Sequence, residues 1–96
     1  MDSDFRRALV FLLYDADGLC DESVLDTLKG FRPYVESILV VVNGSLRPDA
    51  LKAVTAVADR VLERPNVGYD VGAYRDALEL YGWDELAALD ALLLVN

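Results

Sequence analysis

The chain has 96 residues, 54% of them hydrophobic, a size and composition that suit one compact domain with a packed core. With 17 acidic against 9 basic residues the net charge is −8, which excludes nucleic-acid binding along a basic face, and the absence of histidine excludes imidazole-dependent serine, cysteine and zinc chemistry. No apolar run approaches the ~20 residues of a membrane span, MDSDFRR does not read as a secretory signal, and the lone Cys20 forms no internal disulfide and fits a reducing cytoplasm.

The first element is Ala8–Tyr14 (ALVFLLY), an unbroken apolar run of strand length. Hydrophobicity that is continuous rather than alternating marks a strand covered on both faces, as parallel sheets require. Asp15–Glu22 (DADGLCDE) follows. Its glycine falls at the fourth position of a would-be calcium loop rather than the sixth, and a strand precedes it, so it reads as an acidic βα turn and not an EF-hand. Cys20 is a small filler at the start of a helix. Val24, Leu25, Leu28 and Phe31 share one helical stripe, with Asp21 as N-cap and Pro33 as terminator. Ile38–Val42 (ILVVV) is the second strand and runs into Asn43, Gly44 and Ser45. Leu51, Val54, Val57 and Ala58 form the second helical stripe, with Pro48 in its first turn.

Arg60–Glu63 is a shorter strand, and Arg64–Leu78 (RPNVGYDVGAYRDAL) comes next. Its glycines, Gly68 and Gly72, lie four apart around Asp70, and two glycines in five residues imply a loop pressed closely against something. Asp70 is placed to cap the third helix, whose stripe is Ala73, Tyr74, Ala77, Leu78 and Tyr81, and Gly82 to supply its left-handed C-terminal residue. A short turn or helix over Asp84–Leu89 leads to the last strand, Ala91–Val95 (ALLLV).

This order predicts an α/β fold: a three-layer Rossmann-like half, βαβαβαβ, with about four parallel strands in the order 3-2-1-4 and residues 1–96 as a single domain. Ligand crevices in such sheets open at the C-terminal strand ends, where Tyr14–Gly18, Asn43–Ser45, Arg64–Gly72 and Asn96 collect. The first turn lacks the glycine spacing of a dinucleotide fingerprint, so NAD or FAD binding of the familiar kind is not expected. An anionic ligand would need backbone N–H groups, one or two arginines, or a metal.

Three segments carry a likeness to a known family: YDADG (Tyr14–Gly18), VVVNGSL (Val40–Leu46) and, the most specific, NVGYDVGAYRDAL (Asn66–Leu78). Through them, and through the ending GWDELAALDALLLVN, the sequence resembles the rhamnan synthesis protein F family, glycosyltransferase-like proteins of bacterial surface polysaccharide assembly. The resemblance implies the N-terminal, GT-A-like half of a longer glycosyltransferase, binding a nucleotide-diphosphate sugar with rhamnose as the expected sugar. Tyr14 and Asp15 would lie near the base, and Asn43 against base or ribose. Asn66 and Gly68 would shape the pocket wall, with Asp70 and Gly72 at the start of the third helix. Arg75 would reach a phosphate, or pair with Glu79 one turn on; Arg64 carries the same ambiguity and reads as a solvated surface arginine.

The resemblance also implies a divalent ion, Mg or Mn, in the intact family member. The aspartate expected to hold it falls after Asn96, so no metal ligand is expected within the chain. The implied acceptor is a polysaccharide or lipid-linked glycan, and the implied location is cytoplasmic, at the inner face of the membrane for the parent protein. The chain by itself is expected to be inactive and, through its apolar last strand, to self-associate. Two other readings stay open: a non-catalytic α/β binding or scaffold module, and a metal- or phosphate-responsive signalling domain built on the acidic first turn.

Overall fold

Strands with unbroken apolar runs must be covered on both faces, and helices on either side of a four-stranded sheet do this. The computed structural model describes residues 5–15, 17–65 and 69–95, with the backbone alone for 69–71. The strands are β1 (Arg7–Leu13), β2 (Ser37–Asn43), β3 (Arg60–Arg64) and β4 (Ala91–Val95). All pairings are parallel and the order is β3-β2-β1-β4, as the sequence predicts. The helices are α1 (Glu22–Phe31), α2 (Pro48–Val57), α3 (Tyr69–Tyr81) and α4 (Trp83–Ala87), with a 3-10 turn over Arg32–Tyr34.

Two cores follow from this topology. Steps from β1 to β2 to β3 run in one direction and put α1 and α2 on one face, where Leu28 and Val54 pack on Leu9, Phe11, Ile38, Val40 and Val42. The return from β3 to β4 puts α3 on the other face, where Ala73, Ala77 and Tyr81 pack on Ala8, Val10, Leu12, Leu39 and Val41. Small residues in α3 let that helix sit close to the central strands. Each large aliphatic side chain fully buried in these layers contributes about 1.5–3 kcal/mol.

Local signals act largely as expected. Asp21 caps α1, its Oδ1 accepting from Ser23 N at 3.2 Å, and Pro48 opens α2. Pro33 lies in the 3-10 turn that prolongs α1, so the helix ends at Phe31 and the chain turns once more before leaving. Gly82 follows α3 with φ 83° and ψ 148°. Its φ is positive as anticipated, but that ψ lies in an extended region essentially open only to glycine, and α4 begins at Trp83 rather than Asp84.

The N-terminal edge of the sheet is tied by ion pairs: Arg6 with Glu36 and Arg32 with Asp59, each at 2.8 Å, and Arg60 with Glu85 at 3.7 Å. Exposed pairs of this kind contribute about 0–1 kcal/mol each. Asp59 does more, because its Oδ2 also accepts from Ile38 N at 2.7 Å. Partial burial alone would raise the Asp59 carboxyl; the hydrogen bonds from Arg32 and the Ile38 amide outweigh it and hold the group below its ordinary range. Among the described residues no helix is long and apolar enough to cross a membrane.

Candidate functional site

Parallel strands deliver their outgoing loops to one rim. The β1–α1 loop is shaped by Asp15, whose Oδ1 accepts from Asp17 N at 2.8 Å and Leu19 N at 3.4 Å, while Gly18 N donates to Asp15 O at 3.2 Å. This carboxylate therefore folds the acidic turn. A recess of about 420 Å³ lies between the loop and the start of α2, lined by Asp15, Leu19, Cys20, Asp21, Asp49 and neighbouring alanines. Burial first, then the charges of Asp21 and Asp15, push the Cys20 thiol up from its ordinary pKa.

The second loop lies directly on the first. Gly18 has φ 72°, and a Cβ there would stand 2.9 Å from Ser45 O and 3.2 Å from Arg47 N. Arg47 N donates to Gly18 O at 2.7 Å, and Arg47 Nε to Asp17 O at 3.0 Å. The second loop is tied in turn to the third strand: Leu46 N donates to Glu63 Oε2 at 2.9 Å and Gly44 N to Arg64 O at 2.7 Å. Two outgoing loops and the end of β3 thus form one continuous shelf along the C-terminal rim.

At the β2–β3 end of the shelf sits a polar cluster. Asn43 and Arg64 are register partners at the last positions of their strands, so their side chains project from the same face. It is the α3 face, since Asn43 follows Val41 at a spacing of two. Asn43 is only 5% exposed and the Arg64 side chain 10%. Arg64 Nη1 donates to Asn43 Oδ1, and its Nε donates to Asp76 Oδ2 at 2.7 Å. Arg64 is therefore no solvated surface arginine: burial obliges the guanidinium to be paired, and both partners are in place. A recess of about 290 Å³ opens beside it, lined by Gly44, Ser45, Glu63, Arg64 and Pro65.

Residues 38–96, more than half of the chain, match the family described as rhamnan synthesis protein F. The chain belongs to that family. The match ties it to rhamnan and hence polysaccharide synthesis. No curated protein and no solved structure matches the chain. The span shared with rhamnan synthesis protein F runs from β2 through β4, so it includes Asn43, Arg64 and Asp76; Tyr14 and Asp15, from which likeness was also drawn, precede it.

The rim gathers some of the expected residues and not others. Tyr14 follows the end of β1 and is 59% exposed, and Asp15 is engaged in its own turn. Asn43 is on the rim but faces Arg64. Asn66, Gly68 and Asn96 lie outside the described residues. Helix α3 starts at Tyr69, one residue before Asp70, so Asp70 falls inside the first turn rather than at the cap; its side chain lies outside what is described. Gly72, expected in a loop, is helical, since the helix begins early enough to include it. Arg75 is exposed and, among the described residues, forms no ion pair, Glu79 included. Sequence reading missed Arg47, Glu63 and Asp76. The usable signal was polar residues ending two neighbouring strands, which only the register turns into a contact.

Proposed function

We propose that the C-terminal rim of this chain binds the nucleotide diphosphate of a sugar donor, with rhamnose as the sugar, in the synthesis of a bacterial cell-surface polysaccharide. The observation that carries the reading is the shelf itself: loops leaving β1 and β2 and the end of β3 meet on one edge of a parallel sheet, in a member of the rhamnan synthesis protein F family. In this reading the exposed ring of Tyr14 offers a face to the base, and Asn43 a polar contact to base or ribose. Asn66, Gly68, Asp70 and Gly72 border the pocket. Exposed Arg75 offers its charge to the phosphates, which a chain of net charge −8 must otherwise repel.

In the transfer, an acceptor hydroxyl oxygen on the growing polysaccharide or lipid-linked glycan bonds to the anomeric carbon. The bond from that carbon to the diphosphate breaks, its electron pair leaves with the phosphate oxygen, and the hydroxyl proton is lost to a base. This chain's part is to hold the donor. The divalent ion implied for the intact family member finds no group of three metal-ligating side chains among the described residues. Asp15 and Glu63 there accept from backbone amides and Asp76 from Arg64; in this reading the chain's hydrogen-bond donors and arginines meet the phosphates.

Titration with uridine and thymidine diphosphates in the presence of magnesium, followed by amide NMR, tests the reading. Saturable shifts at Tyr14, Asn43 and Asn66 are expected; their absence with both nucleotides would remove the assignment.

A further inference from the structure

We infer that Arg64 is a positioning residue, which fixes the Asn43 side chain so that it presents only N–H donors to a nucleoside held on the rim. The inference rests on the nucleotide-binding reading and gives it a chemical polarity. A guanidinium has donors and no acceptor, so the amide atom facing it must be the oxygen. Arg64 Nη1 lies against that atom, and Arg64 itself is held in place through Nε by Asp76 at 2.7 Å. The amide cannot turn over without setting its NH2 against the guanidinium in a place where Asn43 is 95% buried, an arrangement that leaves donors facing donors. Among the described residues Arg64 is the hydrogen-bond partner of the Asn43 side chain. The atom of the nucleoside that Asn43 meets is therefore an acceptor.

The same guanidinium ties the end of β3 to α3. Arg64 stands immediately before Pro65, and Asp76 lies within the segment Asn66–Leu78, in the α3 part of it. One buried cation thus sets both the Asn43 donor and the position of the helix that follows residues 65–68. Lysine is no substitute. Its ammonium is a compact point charge without the planar fork that reaches two partners in fixed directions.

Two variants and two neutral or charged probes decide the matter. In the unliganded chain, Arg64→Lys should shift the Asn43 side-chain NH2 resonances and speed their exchange with solvent. It should also weaken uridine and uridine diphosphate by a similar factor of about tenfold, the loss of one well-placed hydrogen bond. Asn43→Asp keeps an acceptor for Arg64 and so should keep stability, but it has no donor. Uridine, which carries no charge, should again lose about tenfold. Uridine affinity unchanged in Asn43→Asp, or a loss confined to the diphosphate, would overturn the donor role. Asn43 NH2 resonances unmoved in Arg64→Lys would overturn the positioning role. If the unaltered chain binds neither probe, the nucleotide reading and the donor role fall together, while the NH2 comparison still decides whether Arg64 fixes the amide.

Discussion

Replacing Gly18 by alanine tests the shelf on which the functional reading stands. Two costs add at this position. An L-residue at φ 72° is in the left-handed region, at about 1–2 kcal/mol, and its Cβ would meet Ser45 O at 2.9 Å and Arg47 N at 3.2 Å. Both neighbours are backbone atoms, so relief requires moving a loop that donates Arg47 N to Gly18 O at 2.7 Å; such overpacking costs a further ~1–2 kcal/mol. The expected total is about 2–4 kcal/mol, or roughly 10–25 °C in melting temperature for a chain this size. Gly30→Ala is the internal control, since Gly30 is helical with nothing within 4 Å of its would-be Cβ, and should stabilise by about 0.5–1 kcal/mol. Urea unfolding of both variants measures the difference. A Gly18→Ala chain within about 0.5 kcal/mol of the parent, well below the smallest of these penalties, would mean that the two loops do not abut.

Three further outcomes are expected. The Asp59 carboxyl is held below its ordinary range, so its stabilisation is complete above the unfolded value of about 3.9 and is lost as pH falls through the lower folded value. Arg32→Gln should therefore flatten the acid limb of a stability–pH curve, and an unchanged limb would refute the assignment. Cys20 should react with a thiol reagent at neutral pH more slowly than a free cysteine, because burial and two carboxylates raise its pKa; a faster rate would contradict that. Finally, β4 is an edge strand with Leu94 47% exposed, and the chain should self-associate at high concentration. Leu94→Lys should shift sedimentation towards monomer, and equal association in both chains would remove β4 from the contact.

Much of the fold was legible because its signals are periodic and local. ALVFLLY and ILVVV announce strands buried on both faces, and the helices filling the gaps between them make those strands parallel; the order 3-2-1-4 follows from the usual doubly wound arrangement. Asp21 caps as its position before Val24 and Leu25 suggests. What stayed hidden depends on register and distance. Arg64 looks like a surface cation until β3 is set beside β2 at Asn43, when burial turns it into a paired one. Asp15 looks like a ligand carboxylate, yet two amides of its own loop reach it first. The start of α3 was misplaced by two residues, Val71 expected against Tyr69, because aspartate is favourable both at a cap and within a first turn, and residue type alone does not separate the two. Gly18 gave no sign of its neighbour, since Ser45 and Arg47 are far along the chain.

The joints between the first two loops are made mostly from main chain. Asp17 and Ser45 each present a carbonyl to the joint, while both residues remain open to solvent. Their side-chain identities are thus uncoupled from the masonry beneath them. On the proposed reading, homologous chains can dress the mouth of the crevice with different chemistry at these two places without relaying the floor.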